Sequence, residues 1–404
     1  MSRLLSRTFH ALESRNFRLF FIGQTISNSG NFLTNVALIL FVLRLTDSGF
    51  AIGTLAACQF GPMLLLSPWA GAVADRGDKR TLLLVTQSLE MLQSIGLAVL
   101  AFQSNPSLFA LYALALFGGV LLAFDNPLRR SFVPEMVRKE DLANAVVLYS
   151  TIVSVSQIVG PALAGLIATT LGYGWCFAID AASYLAVIAG ILMMRTGELL
   201  RAPPAPRTPR AVREGFRYVL SVRDLWLSFA MFAVIGTFSF NFRVALPLFV
   251  TRSLHGTDVA FTALYTISSV GALVGALLVA HRKLVELRHV IGASLAFGVA
   301  MLLLSVAPNL YVAAPAVFVV GGAGIVYMTA TTSLAQVDTR RDMVGRVLAL
   351  QTALIGGTAL LGGPLVGRLA DLAGGRAPIA VGGVACLVAS VAARAIPARP
   401  PPSR

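Results

Sequence analysis

Gly71-Ala72-Val73-Ala74-Asp75-Arg76-Gly77-Asp78-Lys79-Arg80 places five charges within six residues, between apolar runs at 50–74 and 81–103. Runs of that length and polarity belong in lipid. There every backbone polar group must pair within its own segment, so each run is a helix. The charged break is then a turn into water. Outward from it the same alternation recurs, with apolar segments near 17–43, 50–74, 81–103, 108–128, 142–170, 175–195, 224–251, 258–280, 290–307, 309–333, 347–370 and 377–396. A helix needs about 20 residues to cross the hydrocarbon core, so twelve of them use about 240. The chain has 404 residues, 56% hydrophobic and 12% charged. Soluble chains carry about 25% charge, so little soluble domain remains. The alternating strands of an outer-membrane barrel are absent. The fold class is all-α integral membrane, with twelve transmembrane helices.

The formal net charge of +14 is an orientation signal. With the N-terminus placed in the cytoplasm, the outer loops hold Arg44, Arg252, Arg368 and Arg376, and Arg243 falls inside a span. The other 27 of the 32 basic residues are assigned to the cytoplasmic side. By the positive-inside rule this asymmetry predicts an even number of spans and two cytoplasmic termini. It also removes nucleic acid as a partner. The expected location is the cytoplasmic membrane of a bacterium, as a multi-pass protein. Arg3, Arg7, Arg15 and Arg18 precede a first apolar run too long for a signal peptide. Cys58, Cys176 and Cys386 all lie in apolar runs and form no disulfide or metal pattern, so they read as small packing residues.

The one long loop divides the chain into four expected parts. These are an N-terminal six-helix bundle at 1–195, a cytoplasmic linker at 196–223, a C-terminal six-helix bundle at 224–396, and a disordered tail at 397–404. The linker carries Pro203, Pro204, Pro206 and Pro209. Val212, Phe216, Val219 and Leu220 then recur at helical spacing beside Arg213 and Arg217. That pattern predicts an amphipathic helix on an anionic leaflet.

The two halves resemble each other. Val36–Arg44 and Val244–Arg252 agree at seven of nine positions. Gly160-Pro161-Ala162-Leu163-Ala164-Gly165 in the fifth span is echoed by Gly363-Pro364-Leu365-Val366-Gly367 in the eleventh. Six spans separate the copies, so the halves have the same orientation and a pseudo-two-fold relation.

The opening stretch matches G-x-x-x-D-R-x-x-[RK]-[RK] at every fixed position. It resembles the signature of the major facilitator superfamily between the second and third spans. A longer likeness covers nearly the whole chain. It runs through Asp125-Asn126-Pro127-Leu128-Arg129-Arg130-Ser131-Phe132-Val133-Pro134-Glu135, Asn144-Ala145-Val146, Gly160–Gly165, Trp175–Tyr184 and Gly345-Arg346-Val347, and is similar to the enterobactin-exporter and drug-efflux branch. The resemblance implies a secondary transporter working by alternating access. It implies a gate in which Gly71 allows close helix approach and Asp75 meets the start of the eleventh span. Arg76 or Arg80 would pair with Asp125. Gly160, Pro161, Gly165, Gly363 and Pro364 would form the rocking contacts. Gly160-Pro161 resembles only part of an antiporter motif, so generic Gly/Pro packing is the other reading. Asp180 stands where the branch has Asn.

In such a fold the first, fourth, seventh and tenth spans line a central cavity. Gln24, Asn28, Asn31 and Asn35 form one polar stripe on the first. They either line the pathway or join helices by hydrogen bonds. Arg243 aligns with Asn35 in the repeat. A mid-membrane charge costs at least about 2.5–3.5 kcal/mol, so it must face water or a partner. Tyr327 and Thr331 are one turn apart and line the same cavity or simply pack. Proton coupling needs a carboxylate in the membrane, and the candidates are Glu90, Asp125 and Asp180. No cofactor is expected, and a proton gradient is the expected energy source. The expected partners are a small-molecule substrate and the lipid bilayer, with the monomer as the functional unit.

Three alternatives have different signatures. An ATP-driven exporter would need a separate ATPase subunit, because no G-x-x-x-x-G-K-[ST] occurs. A membrane enzyme would need a catalytic motif, and His10, His255, His281 and His289 form none. Uptake differs from export only in direction.

Overall fold

The computed structural model describes residues 9–200, 211–280, 286–341 and 343–396, without the side chains of Pro68, Ala72, Asp75, Ala211 and Val212. The proposed disordered tail at 397–404 and the proline-rich part of the linker lie outside the described residues. Among the described residues, twelve helical spans are long and apolar enough to cross a membrane. No strand occurs among the described residues. In chain order the helices are α1 (Arg15–Thr46), α2 (Gly49–Arg76), α3 (Lys79–Ala101), α4 (Leu108–Met136), α5 (Leu142–Thr170), α6 (Tyr173–Leu192) and α7 (Ala211–Ser221). They continue as α8 (Arg223–Phe238), α9 (Phe242–Leu248), α10 (Asp258–Val279), α11 (Leu287–Ser305), α12 (Leu310–Val337), α13 (Val344–Ala373) and α14 (Arg376–Ala395).

The chain divides into two compact units. The first holds 1–45 and 65–207, and the second holds 46–64 and 208–404. The break therefore falls inside α2.

In the first unit, α1 approaches α6 at glycines. A Cβ on Gly23 would lie 2.7 Å from the Val187 backbone, and one on Gly30 would lie 2.6 Å from an Asp180 carboxylate oxygen. Without a hydrophobic force between helices in lipid, small residues are what permit such approach. Asn16 clamps the start of α1 by exchanging hydrogen bonds with the Arg195 backbone at 3.0 and 2.9 Å. Phe17, Phe20, Leu83, Phe132, Tyr184 and Val187 fill the core beside it.

In the second unit, the seventh span is broken, which the unbroken apolar run at 224–251 did not reveal. α8 stops at Phe238 and α9 begins at Phe242. Asn241 repairs the break. Its side-chain amide donates to the carbonyls of Thr237 at 2.8 Å and Gly236 at 3.1 Å. After Pro247 the chain widens into one π-turn, Phe249–Ser253.

α7 packs partly on protein. Val219 is buried in a cluster with Leu225, Ala335 and Val347, and Glu214 accepts from Arg346 at 2.6 Å. Phe216 and Leu220 remain exposed beside Arg213 and Arg217. The pattern read as one lipid-facing stripe thus has two sides.

Candidate functional site

Three buried charges of the first unit, Glu90, Asp125 and Arg129, form one cluster on α3 and α4, joined by amides of α1. α4 runs on past the expected end at 128 to Met136, so Arg129 is a helix residue and not one of the loop cations. It is buried, as are Asp125, Glu90 and Gln24. Asp125 lies one turn before Arg129, and the two form an ion pair. Arg129 also reaches Glu90 at 3.4 Å. Its Nη1 donates to Gln24 and Asn28 of α1, both at 2.8 Å. On the other side, Thr86 and Gln87 of α3 donate to Asp125 at 3.0 and 2.8 Å, and Gln87 donates to Glu90 at 2.9 Å.

Two carboxylates therefore share one guanidinium in a low-dielectric interior. Such charges persist only when paired and hydrogen-bonded. With both carboxylates ionised the cluster carries one uncompensated negative charge, and a single proton removes it. Two buried side-chain atoms of the cluster, Gln24 Nε2 and Gln87 Oε1, have no protein partner.

Asp180 is a separate buried carboxylate on α6. It accepts from Ser94 of α3 at 2.8 Å. Near it Asn31 donates to the Tyr184 hydroxyl at 3.4 Å, and Asn35 donates to Asn31 at 2.9 Å. The polar stripe of α1 thus splits. Gln24 and Asn28 hold the arginine, while Asn31 and Asn35 bind α6 and each other.

Several gate expectations change. Asp125 pairs with Arg129 and not with Arg76 or Arg80. Arg80 donates to the carbonyls of Ile191 and Leu192 at 3.1 and 3.2 Å. These are end carbonyls of α6, where a cation is favoured. Arg76 is exposed. Among the described residues Gly71 mediates no close approach, since a Cβ there would meet none of their atoms within 4 Å. The Asp75 side chain lies outside the described residues. Beside the motif, Lys79 pairs with Glu135 at 2.5 Å, and both are buried. Gly160 does pack tightly, because a Cβ there would strike Phe32 and Leu33 of α1. Pro161 and Gly165 are buried beside it in α5.

In the second unit Arg243 follows the helix break, with its guanidinium 5.2 Å from the Phe60 ring centroid. An aromatic face is a fitting partner for a cation with little water. Tyr327 and Thr331 do not line an opening. Both are fully buried. Tyr327 stacks on Phe232 at 6.3 Å, and Thr331 donates to the Tyr327 carbonyl at 2.9 Å. Gly363 lies against α2, where a Cβ would come 2.6 Å from the Gly53 carbonyl, with Pro364 half-buried beside it.

Arg129, Thr86 and Gln87 are the members that sequence reading missed. The available signal was Asp125-x-x-x-Arg129, whose spacing puts both side chains on one helix face.

Known proteins share this architecture. A peptide-transporter-family protein bound to 5-aminolevulinic acid superposes with a TM-score of 0.77 at 12% identity, covering 94% of this chain and 95% of its own. A bacterial homologue of the human lysosomal transporter Spinster, inward-facing and unoccupied, gives 0.70 at 15% identity over 94% and 97%. At these identities the likeness shows the fold alone. Among curated proteins, the enterobactin exporter EntS of Escherichia coli O6:K15:H31 (strain 536 / UPEC) is 27% identical over 361 residues, covering 86% of this chain and 84% of its own. The staphyloferrin A transporter of Staphylococcus aureus (strain NCTC 8325 / PS 47) is 27% identical over 265 residues, 64% of this chain and 66% of its own. Residues 6–401 match the family described as transmembrane secretion effector, and the chain belongs to that family of major facilitator transporters.

Proposed function

We propose that this transporter exports a small siderophore-like metabolite or drug from the cytoplasm by alternating access, in exchange for protons. Both termini are cytoplasmic in this reading, in line with the excess of basic residues in the loops on that side.

One observation carries the coupling: Glu90 and Asp125 share the single guanidinium of Arg129 inside the first unit. A membrane carboxylate couples to protons when its surroundings change between states. Here Arg129 is the variable. Held between both acids, it leaves one negative charge for a proton to cancel. Drawn toward one acid, or toward an anionic substrate, it alters the proton demand of the other. Glu90 has the longer contact to Arg129, so it is the proton carrier. Asp125 stays with Arg129 as its anchor. Gln24 and Asn28 sense the arginine from α1. The relatives named for enterobactin and staphyloferrin A supply the substrate class.

The test uses purified protein in sealed vesicles with an imposed pH gradient. Enterobactin and staphyloferrin A are the probes. Uphill movement that follows the gradient and collapses with a protonophore supports antiport. Flux indifferent to the gradient removes it.

A further inference from the structure

Asp371 of α13 takes no part in the buried cluster, yet it is heavily engaged at the start of α2. It accepts from the backbone N–H groups of Gly49 at 2.7 Å and Phe50 at 2.9 Å, and from the Ser48 hydroxyl at 3.2 Å. The first N–H groups of a helix have no partner within it, and the helix dipole favours an anion there. Asp371 therefore caps the first two N–H groups of α2, beside Ser48, whose hydroxyl accepts from the Ala51 N–H at 3.3 Å. Arg252 locks the arrangement. Its Nη1 donates to Asp371 at 2.9 Å, and its Nη2 donates to the Asp47 carbonyl at 2.5 Å. Asp47 sits at φ 45, a left-handed turn conformation that Asp adopts more readily than most side chains.

Behind this clasp the two helices run antiparallel and almost in backbone contact. A Cβ on Gly367 would strike the Gly49 carbonyl, and a Cβ on Gly356 would lie 2.9 Å from the Leu64 nitrogen. Glycine surfaces interdigitate few side chains. The polar contacts of the clasp are therefore the directional ties at this end of the pair. Sequence supplies a second sign. Near its end α13 carries Gly367-Arg368-Leu369-Ala370-Asp371, and near its end α2 carries Gly71-Ala72-Val73-Ala74-Asp75. The same Gly-x-x-x-Asp spacing lies in the last turns of both helices.

We infer that the Asp371–Arg252 clasp is a conformational latch: it holds the Gly49 end of α2 to the C-terminal end of α13 in the state seen here and releases it in the opposite state. The inference rests on the alternating-access reading above. It makes Asp371 the counterpart, at the other end of the transport cycle, of the latch that the family resemblance assigns to Asp75. Asp371 acts as a positioning residue and needs no contact with substrate.

The experiment reads the latch directly. Spin labels go on Phe50→Cys and Leu372→Cys, both exposed, in a background of Cys58→Ser, Cys176→Ala and Cys386→Ala. Pulsed EPR distances are collected in lipid nanodiscs, without substrate, for this background and for Asp371→Asn and Arg252→Gln within it. The parent should show mainly the short distance. Loss of a charge-assisted hydrogen bond should raise the long-distance population about tenfold in both variants. Unchanged distributions in monodisperse variants overturn the latch. Should Asp371→Asn not fold, Arg252→Gln and the milder Ser48→Ala carry the same test, and an unshifted distribution in both overturns it. The readout requires no transport, so gradient-independent flux would remove antiport and leave the latch standing.

Discussion

Asp125 and Arg129, one turn apart on α4, form a buried ion pair whose arginine also serves Glu90 of α3 and two amides of α1. Three helices of the first unit are thus tied through one side chain. Removing either partner of such a pair strands the other.

Arg129→Ala should therefore cost stability as well as transport. Breaking a buried pair typically costs about 3–5 kcal/mol. Thermal unfolding in detergent should show a clear fall in Tm. Adding Glu90→Gln and Asp125→Asn to the same chain should recover most of that fall and none of the transport. A triple variant as unstable as Arg129→Ala would show that the charge balance is not what the arginine supplies.

Glu90→Gln removes one acid and leaves Arg129 paired with Asp125. The protein should insert and fold normally. In sealed vesicles it should exchange substrate but lose accumulation driven by a pH gradient. Asp125→Asn should instead lower both expression and exchange, because Asp125 anchors the arginine and accepts from Thr86 and Gln87. Equal behaviour of the two variants in the accumulation assay would contradict their separate roles.

Glycine positions should respond in opposite ways. Gly71→Ala meets open space, so the helix propensity of Ala makes it neutral or stabilising by up to about 1 kcal/mol. Gly363→Val drives a branched side chain into the Gly53 carbonyl and should abolish transport while leaving detectable protein in the membrane. Transport assays on the two variants, normalised to protein level, check both expectations. An inactive Gly71→Ala would show that this glycine does more than its surroundings indicate.

Tyr327→Phe removes a buried hydroxyl that has no partner, so unfolding temperature should hold or rise and transport should persist. Tyr327→Ala should cost about 3–5 kcal/mol, the range for emptying a large aromatic site. Selective loss of transport in the Phe variant, at unchanged stability, would return Tyr327 to the substrate pathway.

Much of the architecture was legible in the residues. Twelve apolar runs of spanning length leave no alternative to helices in lipid, because unpaired backbone groups are intolerable there. The charged loop at 75–80 and the repeat at Val36–Arg44 and Val244–Arg252 point to the superfamily by themselves. Glu90, Asp125 and Asp180 stood out because ionisable side chains are rare in such helices. Composition could not say which partner each would take. Arg129 looked like a loop cation until α4 proved two turns longer than its apolar run, and Arg80 looked like the partner of Asp125 until it was found on the end carbonyls of α6. The break between α8 and α9 was invisible because Ser239, Phe240 and Asn241 are no more polar than residues found in an intact span. The sequence alone determined how many helices cross the membrane, since that follows from local hydrophobicity and chain length. Only the tertiary structure decided that Arg129 also reaches Glu90 and that Asp371 caps α2. Those pairings join residues dozens to hundreds of positions apart, and their energies depend on distances that no local pattern encodes.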